Sequence, residues 1–351
     1  MRPPFAMNES HPLILNPQDN RWLEFIQSNP QATPFHHPSW INLLAHCYGY
    51  EGFILALPAP PDGIRAGLPI MEINSALTGR RWVSLPFTDH CAPLCSDEDA
   101  LDRLTMQTVS AIEERHIPRA QLKWMYPPHP SLRAHSEFIL HRLRLSADET
   151  EVAGRIKHKQ FRQVKVAQER GVRIEKGTNS EFVENFYRLH LQTRRKKGVP
   201  VQPRKFFRLL EQEILRPGLG FILLASKDGQ CVAGAVFLQW NKTLVYKYSA
   251  SNETGRQSLA MDLLLWDAIA WACARGFDWM DMGRTDNADQ GLRNFKLRWG
   301  AEESPLTYSE LPARTPSQNT LRLAPLMKSV ITHSPAIVDK FLGELLYRHF
   351  G

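Results

Sequence analysis

Between residues 221 and 250 the chain places three apolar, β-branched and aromatic runs around two tight turns. FILLAS at 221–226 leads into Lys227-Asp228-Gly229, CVAGAVFLQW at 231–240 into Asn241-Lys242, and TLVYKYSA follows at 243–250. Asp-Gly and Asn-Lys are reversals short enough to fold each run back on the last, so this stretch reads as a three-strand meander. A helix over 258–275, closed by Gly276, and a strand over 277–282 follow. A meander that runs into a helix and a further strand argues against a TIM barrel and predicts an α/β fold with a mixed sheet.

Upstream, a helix is predicted over 36–48 with Ser39 as its cap and Ile41, Leu44 and Tyr48 on its apolar face. Strands at 52–57, 66–73 and 81–85 are separated by Pro-Pro-Asp-Gly at 60–63 and by Thr78-Gly79. A helix over 97–115 and strands at 121–125 and 138–145 complete a first unit. The spacing then predicts one long basic helix over 149–170 ending at Gly171, helices at 180–197 and 203–215, and two short helices over 320–349. At 351 residues the chain suits two domains, and the boundary is placed near 150, dividing 1–150 from 151–351.

Forty-three Lys and Arg against 36 Asp and Glu give a net +7 with His neutral, which suits an anionic partner. Five cysteines are too few and odd in number for a disulfide framework. The first 17 residues lack the apolar run of a signal peptide, and no apolar stretch reaches the length of a membrane span, so a soluble, cytoplasmic protein is expected. His90, Cys91 and Cys95 have no second Cys/His pair at ligand spacing, and His36-His37 stands alone, so no metal is expected. Gly-x-Ser-x-Gly, Walker and Gly-x-Gly-x-x-Gly patterns are absent, which counts against serine hydrolases, P-loop ATPases and Rossmann dehydrogenases.

Three constellations carry candidate chemistry. Tyr246-Lys247-Tyr248-Ser249-Ala250-Ser251 runs into a helix entry, where backbone N–H groups can meet an anion or oxyanion. Strand alternation puts Tyr246 and Tyr248 on one face, either reaching a pocket or packing between sheet and helix. Asp281-Met282-Gly283-Arg284 ends a strand, and Arg293 and Lys296 follow three residues apart. On the predicted basic helix Arg155, Lys159 and Arg162 form a stripe, and Arg194-Arg195-Lys196-Lys197 precedes Gly198. Such basic clusters either face solvent or hold phosphates.

Taken in order, His190-x2-Thr193-Arg194-Arg195-Lys196-x-Gly198-Val199-Pro200-x-Gln202-Pro203, Tyr246-x-Tyr248-Ser249-Ala250-Ser251, Asp281-x-Gly283-Arg284 and Gly291-Leu292-x2-Phe295-Lys296-x2-Trp299-Gly300 resemble the FemAB-like branch of the GNAT acyltransferase superfamily, including the CelD (BioF2-type) domain. Thr88-Asp89-His90-Cys91-Ala92-Pro93-Leu94 is similar to that family's N-terminal block. The resemblance implies two GNAT-like domains packed side by side with the active cleft between them. It implies an N-acyltransferase moving an acyl or aminoacyl group onto an amine of a cell-envelope saccharide or peptidoglycan-type precursor, with acyl-CoA (acetyl-CoA) or aminoacyl-tRNA as donor. Lys296, Tyr248 and Asp89 are then the catalytic candidates. Arg195, Lys196, Arg155, Lys159, Arg162, Asp281, Arg284 and Phe295 are the substrate-binding ones. The implied partners are a phosphorylated, nucleotide- or lipid-linked precursor and tRNA, with no DNA. Where GNAT proteins carry a glycine-rich pyrophosphate loop this chain reads Ser251-Asn252-Glu253-Thr254-Gly255-Arg256-Gln257-Ser258. A non-catalytic precursor-binding protein on the same scaffold is the alternative.

Overall fold

The computed structural model describes residues 12–311; the expected helices over 320–349 lie outside the described residues. In chain order the first half contains β1 (Leu13–Leu15), α1 (Asn20–Ser28), α2 (Pro38–Tyr48), β2 (Glu51–Ala59), β3 (Gly63–Ser75), β4 (Gly79–Val83), β5 (Leu94–Cys95), α3 (Glu98–Glu114), β6 (Ala120–Leu122) and β7 (Arg133–Arg144). The second half begins with α4 (Glu149–Arg155), α5 (His158–Glu169), β8 (Arg173–Gly177), α6 (Ser180–Lys197) and α7 (Arg204–Leu210), which runs into a π turn (Glu211–Leu215). It continues with β9 (Gly220–Lys227), β10 (Gln230–Trp240), β11 (Thr243–Ser251), α8 (Glu253–Gln257), α9 (Ala260–Cys273), β12 (Trp279–Asp286), α10 (Gln290–Arg298) and β13 (Glu302–Leu311).

All strands join one sheet in the order β1-β2-β3-β4-β6-β13-β7-β12-β11-β10-β9-β8, with β5 paired to β3. Only β4–β6 and β11–β12 pair in parallel; every other pairing is antiparallel. The last described strand, β13, inserts between β6 and β7, while β7 bonds to β12 on its other edge. Strand β7, which precedes residue 150, is therefore held on both edges by strands that follow it. The predicted meander is β9-β10-β11, as its turn chemistry requires.

Two apolar cores lie on the two faces of the second-half strands. One gathers α4, α5, α9, Leu143 of β7 and Trp299; the other joins α6 and α7 to the elements of the first half that precede β7, with Trp40 edge-on to Phe206 at 6.2 Å. The halves are also tied at the β10–β11 turn. Asn241, at φ 49°, donates its side-chain N–H groups to Ile26 O (3.1 Å) and Asn29 O (3.0 Å), beside Trp240 Nε1 on Ile26 O.

Three local expectations fail, the first to a competing local cap and the other two to contacts distant in sequence. Ser39 does not cap α2; His37 Nδ1 accepts from Ser39 N at 3.1 Å and Pro38 takes the first helical position. The basic helix is broken between α4 and α5, where Lys157 N donates to Arg298 O and buried Ile156 packs into the core. Arg155 and Lys159 therefore lie on different helices, and the continuous stripe with Arg162 does not form. Tyr246 and Tyr248 do not share a face. Tyr246 opposes Phe237 and Tyr248 opposes Val236, so Lys247 is an extra residue in β11, a β-bulge that turns the two rings to opposite sides. Tyr246 reaches Met261 under α9, whereas Tyr248 packs on Phe206, Phe207 and His190.

Replacing Asn241 by Ala removes both inter-half bonds and forces a Cβ residue without a compensating side chain to hold a positive φ. We expect a loss of about 1–3 kcal/mol in urea unfolding; an unchanged midpoint would contradict the tie.

Candidate functional site

The bulge at Lys247 sits where the sheet opens. Strand β11 pairs with β12 only from Thr243 to Val245 against Trp279 to Asp281, after which β11 stays with β10 and β12 with β7. Into this gap the first half sends the loop 85–92. Leu85 and Phe87 both have φ 60°, a region that a residue with a Cβ enters at a cost of about 1–3 kcal/mol, so the loop must be held from outside.

It is held carbonyl by carbonyl. Lys247 Nζ donates to Phe87 O (2.7 Å), Lys123 Nζ to Thr88 O (3.1 Å), Tyr308 Oη to Asp89 O (2.5 Å) and His36 Nε2 to Ala92 O (2.8 Å). Inside the loop Thr88 Oγ1 returns to Leu85 O. His90 Nε2 meets Asp281 Oδ2 at 2.5 Å, both groups being buried. Asp281 Oδ1 also accepts from Gly283 N at 2.7 Å.

With its backbone clamped, Asp89 presents a carboxylate that is about one-third exposed (31 %) and only loosely paired, 3.9 Å from Arg284 Nε. It lies directly on Gly283, where φ is 72° and a Cβ would stand 2.4 Å from Asp89 Oδ2. Only glycine suits this position on both counts. Arg284 donates to Tyr308 Oη at 2.7 Å and lies 4.0 Å from the Phe138 ring centre. Lys296, buried on α10, donates to Gly283 O (2.8 Å) and Arg284 O (2.9 Å). Lys247 is boxed by Phe35, Trp40 and Tyr248, with ring centres 5.0–5.5 Å from Nζ.

Four cations, Lys123, Lys247, Arg284 and Lys296, thus surround two carboxylates, Asp89 and Asp281. Burial pushes Lys123 down to about 7, with Arg284 and Lys247 adding repulsion against the pull of Asp89. Burial also lowers Lys247, and lowers Lys296 to about 8 against the opposing pull of Asp89, Asp281 and Asp289. Burial works to raise Asp281, but His90 and the Gly283 N–H hold it below the usual carboxylate range. Burial raises the Tyr308 phenol to about 12, so it stays a donor at neutral pH.

Of the expected site residues, Asp89, Asp281, Arg284 and Lys296 come together here, and Tyr248 walls the box around Lys247. Phe295 is half-buried against the core that gathers α4, α5 and α9. Arg195 and Lys196 are exposed at the end of α6, Lys196 lying 3.7 Å from Glu253. Lys159 and Arg162 are exposed on α5, and Arg155 pairs weakly with Glu151 at 3.4 Å. Among the described residues Arg155, Lys159, Arg162 and Lys196 share no hydrogen bond or ion pair with the cluster. Arg293 and Lys296, three apart, part company: Arg293 grips Glu303 with two bonds, while Lys296 turns inward. Sequence reasoning assigned no role to Lys123 or Tyr308, and it carried Lys247 and His90 within motifs without singling them out for the site. A lysine inside an otherwise apolar strand was a signal for Lys247; Tyr308 lies on a strand that carried none.

The turn 251–259 is closed on itself. Asn252 N donates to Val232 O, Gly255 N to Asn252 Oδ1, Arg256 N to Asn252 O, Ser258 N to Thr254 O and Leu259 N to Arg256 O. A Cβ on Gly255 would stand 2.2 Å from Val232 O, so the turn is packed onto β10. With these five amides spent and Glu253 and Asp262 alongside, the turn is poorly suited to a diphosphate. Among the described residues no group of His, Cys, Asp and Glu is arranged to hold a metal ion, and no helix is long and apolar enough to cross a membrane.

Residues 154–297 match the family model described as an acetyltransferase (GNAT) domain. No curated protein matches the sequence significantly. The fold is that of FemX, with a TM-score of 0.68 at 12 % identity, covering 89 % of this chain and 99 % of FemX. It is also that of L-PGS from Bacillus licheniformis (TM-score 0.58, 11 % identity, 90 % and 98 % covered). A tandem GNAT protein from the clavulanic acid biosynthesis pathway is similar too (TM-score 0.54, 11 % identity, 86 % and 98 % covered). The domain match and the fold define the class: residues 154–297 form a GNAT-type acyltransferase domain, set in a fold shared with FemX and the tandem GNAT protein.

The depressed lysines make stability depend on pH. An unfolded lysine titrates near 10.4, so between about 7 and 10 the unfolded chain binds a proton at Lys123 that the folded chain does not. Stability therefore rises with pH across this window, Lys296 adding from about 8 upward. We expect the urea midpoint to increase from pH 6.5 to 9 and Lys123→Met to flatten that rise; a variant with the wild-type slope would remove Lys123 from the account.

Proposed function

We propose that the chain transfers an acyl or aminoacyl group to a primary amine of a phosphorylated cell-envelope precursor, a saccharide or peptidoglycan-type molecule. The observation that carries this reading is the clamped, open Asp89 carboxylate within a ring of cations. Acyl transfer to nitrogen needs an acceptor for the amine's proton and a donor to the tetrahedral oxyanion. Asp89 binds the incoming ammonium and takes its proton. Lys296 has one N–H left after its two carbonyl bonds, and that N–H, with Arg284, faces the developing negative charge. Asp281 acts through His90, holding the loop that carries Asp89. Tyr248 lines the path as a wall of the Lys247 box. Phe295 braces α10 beneath Lys296.

The exposed cations Arg195, Lys196, Lys159 and Arg162, with the half-buried Arg155, provide sites for phosphates of the precursor or of a tRNA. GNAT proteins in general draw on acyl-CoA, but the closed turn 251–259 is poorly suited to its diphosphate. This favours an aminoacyl-tRNA donor over acyl-CoA. A cytoplasmic location follows from either donor.

Acetyl-CoA and a charged tRNA, titrated separately and then incubated with amino-sugar and muropeptide acceptors, test the reading by mass spectrometry of the products. We expect amide formation, and a fall of about 100-fold or more in turnover for Asp89→Asn with donor binding retained. Full activity in that variant, or donor binding without product, would overturn it.

A further inference from the structure

Helices α6 and α7 leave a groove of about 460 Å³ between them, within the size range of small-molecule sites. It is separate from the Asp89 cluster. Its floor is apolar and buried: Val183 and Tyr187 from α6, and Phe207 from α7, with the two rings 5.1 Å apart. At its inner end lies the buried carboxylate of Glu211. The π turn that begins there brings Arg216 back onto Glu211 Oε1 at 2.8 and 3.2 Å, so this charge is already neutralised.

The rim is not neutral. Arg204, Lys205 and Arg208 border the groove on the α7 side, and one carboxylate, Glu184, faces them from α6. Arg204 takes Glu184 at 2.5 Å, bridging the mouth. Lys205 and Arg208 have no ion-pair partner among the described residues. The rim thus holds three positive charges against one negative, an excess of two, over an aromatic floor.

We propose that this groove binds an amphiphilic phosphate monoester, a single dianionic head on an apolar body. The apolar body lies on Val183, Tyr187 and Phe207, and the phosphate sits between Arg208, Lys205 and Arg204. A phosphate monoester carries close to two negative charges at neutral pH, matching the rim where a carboxylate would match half of it. Arg204 must give up part of its bond to Glu184 to engage the head, so Glu184 competes with the ligand. Phe207 also touches His190 (5.3 Å) and Tyr248 (6.3 Å) on its far side, so one aromatic layer separates the groove from the Lys247 box.

Calorimetric titration of the full chain with monomeric octyl phosphate tests this, with inorganic phosphate, 1-octanol and vesicles containing phosphatidic acid as parallel arms. We expect octyl phosphate to bind about tenfold or more tightly than inorganic phosphate or octanol, since head and body both contribute. The double substitution of Lys205→Ala and Arg208→Ala weakens it by about tenfold or more, and Glu184→Gln tightens it. The opposite signs of the two variants separate a rim site from general adsorption. Equal affinity for octanol, insensitivity to both variants, or binding to vesicles alone would overturn the proposal. None of these results bears on the acyl transfer assigned to Asp89.

Discussion

His90 and Asp281 lie 191 residues apart in sequence and 2.5 Å apart in the fold, in a site with almost no access to water. Burying a carboxylate is costly unless its oxygens are satisfied, and here one oxygen takes the imidazole and the other the Gly283 N–H. The same residue therefore anchors the first-half loop and shapes the second-half strand. The other clamps on the loop, from Lys247, Lys123, Tyr308 and His36, come from separate elements. The left-handed Leu85 and Phe87 persist because so many bonds over-determine them.

The consequence is a carboxylate delivered to an open position. Asp89 rests on a glycine that leaves room for it and faces Arg284 across 3.9 Å. The divergence of β11 and β12 creates the space, and the Lys247 bulge turns Tyr248 toward the first half. The proposed acyl-transfer site thus lies at a break in sheet regularity filled by a loop from the other half.

The meander, the helix after it and the strands of the first half were legible because local rules decide them: Asp-Gly and Asn-Lys turns, Gly276 after the helix, Pro-Pro-Asp-Gly between β2 and β3. The GNAT domain was legible in the order of motifs, and the same motifs singled out Asp89, Asp281, Arg284 and Lys296, which the fold brings together. What could not be read depended on contacts distant in sequence. The break at Ile156 is set by Arg298, the bulge at Lys247 by the register of β10, and the role of His90 by Asp281. The strand β13, which carries Tyr308, joins the sheet between two first-half strands, a pairing no local pattern announces.

The central claim is that the His90–Asp281 pair holds the two halves in one working geometry. A double-mutant cycle with His90→Asn, Asp281→Asn and the combined variant, read by urea unfolding at pH 7, tests it most directly. The account predicts a coupling of about 2–3 kcal/mol, because either single change strands a buried partner. Additive effects of the two substitutions would contradict it.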